Sequence, residues 1–596
     1  MTDRQVALLT VLVWGGALVP VAAPFLLLVI IGITAALSLR RRWPWRFLFA
    51  MALLASLLAG RAWAGIEPAI EQRFEGPVVL ASDPKPFSGG VRVTATIHGN
   101  RYDLRAWGSP AGGIRNRLMG EQVSIEATLR PLRDAPAWLL AQGLSGRGTI
   151  TSVAGFDVGS PHTRLANSIR RTIESGAASM TRDDRALFAG LVYGDDRQQS
   201  PLTADNFDAA GLAHLLAVSG QNVAFVLAIT GPVLRRLGHR QRFVFVLGVL
   251  VLFATVTRFE PSVVRASVMT AVAAVAVLVG TEVSSGRVLA VAVAALVIVD
   301  PLIVHSVAFQ LSVAASAGIL LWSGRVARAV PGPRPLVEAL AVTACAQIAV
   351  APLLVWRFEG LPVASLPANL LAGPAAGPVM MWGLTGGLIA GVVPPGLAGW
   401  LHVPTGVALW WIDSVAATVP RLPLGRLGAV HVGLLFMFGA FGLRQASRLG
   451  RGAALVGLLV VLGHPAVVMA TMPSESRMID ADSVIWRDNT VTVLQIAGRT
   501  QAEQVLSTLR KANVKEIDLV IVERSSFANA SMIGWLRTHH QIRVVWGPTI
   551  TMGVGEVVPE TGSGLLVDGA TLTVHLDDDR LEVRAVIDDE PSGADG

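Results

Sequence analysis

Long apolar runs separated by short polar loops occupy most of the chain up to residue 471. Three runs come first, at 6–19, 20–39 and 47–63. Runs of this length with few charges are typical of helices that cross a bilayer. Later spans are predicted at about 212–234, 243–258, 262–281, 287–304, 307–324, 336–356, 397–419, 427–443 and 453–471. The pattern therefore predicts a polytopic α-helical membrane protein, with the lipid bilayer as its surroundings.

One apolar stretch, 361–395, is interrupted by several prolines and glycines. It is either one broken helix that crosses once or two short helices that cross twice. A single crossing places the arginines near 444–451 in the cytoplasm, where positive loops accumulate. We adopt it, because both soluble domains then lie outside the membrane on the same face. Broken backbone at membrane depth lines a cavity or is buried in protein, so Asn369 is a candidate for the pore wall.

The segment 65–160 changes from apolar runs to short alternating stretches typical of strands. Arginines at 40–42 and 46 precede it, which puts the third helix on an outward course and this segment outside. Five short strands with glycine-rich turns predict a small β-barrel of the OB type, a fold that often binds single strands by aromatic stacking and a basic groove. Tyr102 and Trp107 are then candidates for contact with DNA. A barrel that only supports a channel mouth is the alternative.

Residues 162–190 are predicted to form an amphipathic helix followed by a second helix. Leu165, Ile169 and Ile173 share one face, which is typical of a helix that lies on a membrane surface. Its remaining surface is basic and is alternatively a contact for a polyanion such as DNA, with three candidate residues: Arg164, Arg170 and Arg171.

Polar residues interrupt the apolar stretch that follows residue 207. Such side chains are unfavourable in hydrocarbon unless they face protein or water. We predict a membrane helix that is locally unwound at Ser219–Gly220 and whose polar stripe lines a cavity. The alternative is a bundle helix packed through small residues. The candidates for lining a channel here are His214, Ser219, Gly220 and Asn222.

Three ordered motifs lie in this part of the chain. The first comprises Leu191–Arg197 and Ala210–Gly220, the second is Pro261–Met269, and the third is Asp300-Pro301 with Ala308–Ser312. Together they resemble the signature of the ComEC family, the membrane channels that carry incoming single-stranded DNA during natural competence. One departure is that Gln221-Asn222 follow Ser-Gly, where the family often has Leu-His, which puts a histidine role at that position in doubt.

The resemblance implies an inner-membrane channel with single-stranded DNA as its substrate, an external DNA receptor and a cytoplasmic translocation motor as partners. Arg265 lies inside the second motif and is a candidate to meet a passing phosphate; alternatively it marks the end of a span and reaches the interface. Gln310, in the third motif, is a further channel-lining candidate. A transporter for another solute and a membrane-anchored scaffold are the competing functions.

Charge and cysteine content add little to this prediction. The 596 residues carry a net charge of +7, and arginine supplies nearly all the positive charge. Arginine binds phosphate well, but an arginine-rich composition is also typical of GC-rich genomes. The single cysteine, Cys345, excludes an intrachain disulfide.

Residues 473–596 are soluble in character and alternate strands with helices, which predicts an α/β fold. After a ComEC-type bundle, this segment resembles the metallo-β-lactamase-like domain of that family. The family's four metal-ligand positions fall here on Phe527, Asn529, Ser531 and Met532, which are not a usual metal-binding set. We therefore predict a degenerate domain with no metal, no cofactor and no nuclease activity, kept for folding, docking or DNA contact.

The predicted domains divide the chain into five parts. They are N-terminal transmembrane helices at 1–64, an OB-like extracytoplasmic domain at 65–160, interfacial helices at 161–206, a competence-type channel domain at 207–472 and the degenerate C-terminal domain at 473–596.

Overall fold

The structure is a computed structural model of the chain. Part of the predicted second apolar run, from residue 22, and Arg40, Arg41 and Arg42 lie outside the described residues. The described residues are 2–21, 44–66, 70–87, 90–132, 137–358, 360–422, 424–444, 447–471, 477–480, 483–487, 491–497, 502–511, 514, 516–524, 527–537, 540–547, 556–560, 562–567, 570–577 and 580–587.

The chain divides into two compact units. The first comprises residues 1–199, 212–359 and 366–415, and the second comprises 200–211, 360–365 and 416–596. Each is described separately.

Helices dominate the first unit. Within the described ranges, five helical segments are long and apolar enough to cross a membrane: Phe47–Ala64, His239–Val256, Pro261–Val279, Val307–Ala329 and Arg334–Arg357. These confirm that the chain is a multi-pass membrane protein. The helices of this unit are Asp3–Leu18, Pro44–Ala64, Gly108–Arg115, Ala137–Leu140, Pro161–Gly176, Arg182–Tyr193, Ala213–Leu216, Gly220–Leu234, His239–Val256, Pro261–Val279, Ser285–Val299, Val307–Gly318, Gly324–Ala329, Arg334–Arg357, Ser365–Ala390 and Pro395–Thr418.

The two N-terminal helices pack closely because small residues face each other. Ala17, Ala55 and Ala59 are buried in one cluster with Phe309, and Gly16 lies directly against the backbone of Ala52. Where lipid is as apolar as the helices, such close backbone approach supplies the van der Waals contact that holds them together.

The proline-rich stretch forms a single helix, Ser365–Ala390, which continues through Pro374 and Pro378. The expectation of broken backbone around Asn369 is therefore wrong, and one helix rather than two occupies this stretch. Proline at position 374 removes the usual donor to the carbonyl of residue 370. Trp411 Nε1 donates to the neighbouring carbonyl, Leu371 O, at 2.9 Å. This bond joins the helix Ser365–Ala390 to the helix Pro395–Thr418 one residue beyond the carbonyl that loses its donor.

A six-stranded sheet, β1 to β6, forms the β region of the first unit, which we call the β domain. Its strands are β1 Gln72–Leu80, β2 Lys85–Phe87, β3 Gly90–Ile97, β4 Asn100–Trp107, β5 Gln122–Pro131 and β6 Leu144–Asp157. β1 pairs with both β5 and β3, β5 pairs with β6, β6 runs parallel to β4, and β4 pairs with β3. The pairing of the five long strands thus returns to β1, while β2 adds a short edge to β3.

The second unit contains an α/β layer. Strands β9 Arg477–Asp480, β10 Ser483–Arg487, β11 Thr492–Ile496, β12 Glu516–Val522, β13 Gln541–Trp546 and β14 Glu556–Val557 form one sheet in the order 14-13-12-11-10-9, parallel from β11 to β14. A second sheet pairs β15 Gly564–Val567, β16 Ala570–Asp577 and β17 Arg580–Ile587. Leu572 and Val574 of this sheet pack against Val493 and Ile521 of the first, which agrees with the predicted α/β class.

The remaining elements of the second unit are helices and a minimal strand pair. β7 Leu361–Pro362 pairs with β8 Arg426–Leu427. The helices are Pro201–Ala209, Ala429–Arg444, Arg448–Thr471, Ala502–Lys511 and Phe527–Arg537.

Substitution of Gly16 by Ala should destabilise the protein, whereas the same substitution at Gly15 should not. A Cβ on Gly16 would overlap Ala52 O, while a Cβ on Gly15 meets nothing within 4 Å. We expect a loss of about 1–3 kcal/mol at Gly16 from overpacking and a small gain at Gly15 from helix propensity. Thermal unfolding of the purified full chain in detergent measures both. Equal melting temperatures for the two variants would contradict the close helix contact.

Candidate functional site

A break in the helical backbone separates the helix Ala213–Leu216 from the helix Gly220–Leu234. Ala217 and Ser219 are extended, with ψ of 137° and 164°. Ser219 caps the second helix, since its Oγ accepts a hydrogen bond from Gln221 N at 3.3 Å. The unwinding predicted at Ser219–Gly220 is therefore confirmed, one to two residues earlier than expected.

The second motif closes over this break. Ser262 Oγ, at the start of the helix Pro261–Val279, donates a hydrogen bond to Val218 O. A carbonyl that the interrupted helix leaves without a donor is thereby satisfied inside the bundle.

Gly220 brings the backbone of the first motif against Arg265 of the second. A Cβ at Gly220 would lie 3.0 Å from Arg265 Nη2 and 3.1 Å from Ala266 Cβ, so a larger residue would displace the guanidinium. Glycine is required here for close approach, although it also begins a helix.

Arg265 connects the second motif to the third. Its Nε donates to Ser312 Oγ at 2.8 Å, and its Nη1 lies 3.1 Å from Met269 Sδ. The residue is 7% exposed. In the part of the chain that the structure describes, it makes no ion pair. A guanidinium buried without a carboxylate partner is a rare arrangement, and it is the main chemical feature of this site.

Two amides carry further unsatisfied polar atoms. Asn222 is fully buried, accepts a hydrogen bond from Ser219 Oγ at 3.3 Å and has no partner for its Nδ2 among the described residues. Gln310 Nε2 donates to Val304 O at 2.7 Å, while its Oε1 likewise lacks a described partner. Both are candidates for contact with water or a ligand.

We call the convergence of the three motifs the motif junction, defined by Ser219, Gly220, Asn222, Ser262, Arg265 and Ser312. Sequence reasoning had singled out four of them and missed Ser262 and Ser312. The signal that could have identified both is that each is a hydroxyl residue inside one of the motifs and within a predicted membrane span or at its end.

Two other channel-lining candidates are not among the residues that define the motif junction. His214 is exposed on the short helix before the break. Asn369 is half-buried on the helix Ser365–Ala390, which approaches Phe225 at Gly377, about two turns further along.

The structure removes two of the predicted DNA contacts. Tyr102 is 6% exposed and belongs to the core of the β domain, so its ring is not available for stacking on a base. Arg170 is 3% exposed. The helix Pro161–Gly176 buries Asn167, Arg170 and Ile173 and exposes Leu165, so its inward face differs from the predicted apolar stripe.

The three other DNA-contact candidates remain accessible. Trp107 is partly exposed and packs edge-to-face on Phe87, with ring centroids 5.5 Å apart. Arg164 and Arg171 are exposed, and Arg171 is paired with Glu121 of the β domain.

Arg170 is the centre of a buried charge cluster, which comprises Asp83, Arg170, Asp195, Arg197 and Arg258. Its Nη2 lies 3.0 Å from Asp83 Oδ2 and 2.8 Å from Asp195 Oδ2, and its Nη1 donates to Val256 O at 2.9 Å. The guanidinium also lies 4.5 Å from the ring centroid of Tyr193. One arginine thus contacts the β domain, the first motif and the end of a membrane helix.

The other two arginines of the buried charge cluster complete the pairing. Arg197 binds Asp195 through Nε at 2.7 Å and Nη2 at 2.6 Å, a bidentate arrangement. Arg258 Nε donates to Asp83 Oδ2 at 2.9 Å. Gly194, directly before Asp195 in the first motif, has φ 76° and lies so close to Val218 that a Cβ would be 2.7 Å from its Cγ2.

The arginines keep both carboxylates ionised despite their burial. Burial alone would raise the pKa of Asp195, but hydrogen bonds and charge from Arg197, and charge from Arg170, hold it well below its ordinary value. Burial opposes ionisation of Asp83 in the same way, and Arg170 with Arg258 lowers its pKa. The first motif therefore supplies a structural ion pair rather than a titrating group.

The C-terminal unit shows no metal-binding cluster in the ranges the structure describes, since no three His, Cys, Asp or Glu residues lie close enough to hold one ion. Asn529 stands at one of the four positions that correspond to the family's metal ligands. It is buried, and its Nδ2 donates to Arg524 O at 3.0 Å. The absence of metal and of nuclease activity stays a prediction.

The fold and the motif junction together define a multi-pass membrane protein in which three sequence motifs converge on a buried arginine. Residues 191–444, somewhat less than half of the chain, match the family described as Competence protein, and this match supports the resemblance to the ComEC family of competence proteins.

One curated relative is ComE operon protein 3 of Bacillus subtilis, which is 26% identical over 251 residues. The match covers 42% of this chain and 32% of that protein, so the shared region spans about a third of the relative's length. No solved structure matches the chain.

Substitution of Asp195 by Asn should destabilise the protein strongly, because it leaves three buried arginines with one carboxylate. Removing one partner from a buried pair costs about 3–5 kcal/mol. The neighbouring Asp196→Asn is the matched control, because Asp196 is exposed and its pairing with Lys85 is solvated. Thermal unfolding compares the two, and similar losses for both would contradict the central role of the buried charge cluster.

The buried charge cluster should also set an acid limit on stability. Because the folded-state pKa values of Asp83 and Asp195 lie below the ordinary 3.8, their contribution is complete above that value and is lost as pH falls through the lowered values. We expect the free energy of unfolding to decline from about pH 4 downward, with a weaker decline in Asp195→Asn. An identical pH profile for wild type and variant would show that the acid sensitivity arises elsewhere.

Proposed function

We propose that this protein is an inner-membrane channel that passes single-stranded DNA into the cytoplasm during natural transformation. The single observation that carries the proposal is the motif junction, where a buried arginine without a described carboxylate partner faces a break in a membrane helix.

The chemistry of the junction suits a phosphodiester. A guanidinium presents up to five N–H donors in a planar fork that matches two phosphate oxygens. Arg265 directs Nε to a neutral hydroxyl and Nη1 to a thioether, so no protein anion among the described residues competes for its charge. A backbone that moves past such a site would exchange phosphates at one fixed cation, while Asn222 and Ser312 offer neutral hydrogen bonds.

The β domain supports the proposal as a site that receives the strand. We propose that it is an OB-type barrel, because the pairing of its five long strands closes on β1 and because the helix Gly108–Arg115 connects β4 to β5. Trp107 and Phe87 supply partly exposed aromatic surface at the end of β4 and in β2, and base stacking on such side chains is sequence-tolerant.

The proposed arrangement places the β domain and the C-terminal α/β domain outside the cytoplasm. This placement requires the stretch 361–395 to cross the membrane once, and the single helix Ser365–Ala390 supports that. We propose that the C-terminal domain is a degenerate metallo-β-lactamase-like fold without enzymatic activity, because two packed sheets flanked by helices are present and the compared ligand positions carry Phe, Asn, Ser and Met.

Movement of the strand requires partners. The sequence contains no G-x-x-x-x-G-K-[ST] loop, which is the phosphate-binding motif of P-loop motors. A cytoplasmic translocation motor would pull the strand inward, and an external receptor would deliver it.

Substitution of Arg265 by Gln should reduce DNA uptake without unfolding the protein. Loss of one charge-assisted hydrogen bond to phosphate corresponds to about a 10- to 100-fold reduction in affinity for the strand. Uptake of labelled DNA is measured in competent cells that carry the variant as their sole copy of this gene, and the melting temperature of the purified variant is measured alongside.

Arg240→Gln is the matched control, since Arg240 is exposed in the first turn of the helix His239–Val256, before its apolar part. Ser312→Ala should give a smaller decrease than Arg265→Gln. Wild-type uptake by Arg265→Gln in a correctly folded protein would reject the channel role of the motif junction and favour a scaffold.

A further inference from the structure

We infer that a polar groove between the β domain and the helix Pro161–Gly176 binds the sugar-phosphate backbone of a single-stranded nucleic acid. This inference rests on the proposed DNA-uptake function and adds to it a docking site separate from the motif junction. The cavity has a volume of about 440 Å³, within the range of about 300–1,000 Å³ typical of pockets for small molecules.

One face of the helix supplies most of the groove. Arg164, Ser168, Arg171 and Ser175 all line it, and their spacing of four, three and four residues places them on a single stripe. The stripe extends over roughly 16 Å. Two guanidinium groups and two hydroxyls along one line match a ligand with repeated anionic groups better than a single small anion.

The two arginines of the groove are held differently. Arg164 is exposed, and its guanidinium has no ion-pair or hydrogen-bond partner in the described part of the chain. Arg171 pairs through Nη2 with Glu121, whose other oxygen accepts a hydrogen bond from Leu118 N at 3.3 Å. Glu121 therefore orients Arg171 at the wall of the groove and also offsets part of its charge.

A buried amide adds a second kind of recognition. Asn167 is 3% exposed, lines the groove and donates through Nδ2 to Met119 O at 3.2 Å. Its Oδ1 has no partner among the described residues, and buried oxygens of this kind are normally bonded. Every nucleobase carries an N–H donor, so a nucleotide can supply both the phosphate for the arginines and the donor for Asn167.

The test measures equilibrium binding of a fluorescent 12-residue oligothymidylate to the full-length protein in phosphatidylcholine nanodiscs. Arg164→Gln combined with Arg171→Gln should weaken binding at least tenfold. It should also reduce the slope of log affinity against log salt by about 1.4, because two phosphate contacts on a single strand are lost.

Glu121→Gln should have the opposite effect. The amide keeps an acceptor for Leu118 N but removes the charge that competes for Arg171, so we expect affinity to rise severalfold. A structural role for the ion pair would instead make Glu121→Gln and Arg171→Gln change binding in the same direction, which would overturn the inference.

The charge-matched control is Arg182→Gln combined with Arg240→Gln, two exposed arginines that do not line the groove. Its affinity should equal that of the wild type, and an equal loss in both double variants would show a general charge effect and overturn the inference. The inference would also be overturned if Arg164→Gln/Arg171→Gln bound the oligonucleotide as tightly as the wild type but co-purified with less anionic lipid. The groove would then hold a lipid headgroup.

Arg265→Gln separates this inference from the channel proposal. In the Arg265→Gln background, Arg164→Gln combined with Arg171→Gln should still weaken oligonucleotide binding at least tenfold, because Arg265 does not line the groove. If Arg164→Gln/Arg171→Gln weakens oligonucleotide binding while Arg265→Gln takes up DNA normally, only the channel role of the motif junction is rejected. If Arg164→Gln/Arg171→Gln binds the oligonucleotide as tightly as the wild type while Arg265→Gln reduces DNA uptake, the groove alone is rejected.

Discussion

A guanidinium removed from water must be compensated by negative charge, by hydrogen bonds or by a ligand, and this requirement organises the structure. The protein meets it in two ways. In the buried charge cluster, Arg170 is compensated by Asp83 and Asp195 at 2.8–3.0 Å. At the motif junction, Arg265 has only neutral described partners. The first arrangement fixes the position of chain segments, and the second leaves a cation whose charge is available.

The buried charge cluster also explains how segments that are far apart in the sequence are held in fixed positions. It connects a loop of the β domain, the helix Pro161–Gly176, the first motif and the loop at 257–260. That loop contains two consecutive non-glycine residues with positive φ, Arg258 at 60° and Phe259 at 56°. Such backbone is strained and persists where its surroundings hold it, as the pairing of Arg258 with Asp83 does here. The helix that carries Arg265 begins immediately after this loop, so the ion pairs and the candidate pore residue share one short connection.

How much of this followed from the sequence depends on the kind of information each feature needs. Apolar run length and alternation are local, and they predicted the spans, the strands of the β domain and the unwinding near Ser219. Burial of a charged residue depends on partners far along the chain. Arg170 is an ordinary basic residue of an amphipathic helix until Asp83, 87 residues earlier, is placed beside it. Tyr102 could not be distinguished from an exposed stacking residue, because alternation does not reveal which side of a strand faces the core. The continuation of the helix through Pro374 and Pro378 was not predicted, because proline is a local signal for a break and its tolerance in a membrane helix depends on the surrounding bundle.

The most direct test of the channel is to stall a DNA strand in transit and identify which residues it touches. A strand with photoreactive groups along its backbone, blocked at its outer end by a bound protein, would be crosslinked in living cells and the attached peptides identified by mass spectrometry. The account predicts crosslinks to the motif junction, in segments 217–222 and 261–269. Crosslinks confined to surfaces such as Val275 and Val279, which are exposed on the helix Pro261–Val279, with none at the junction, would contradict it.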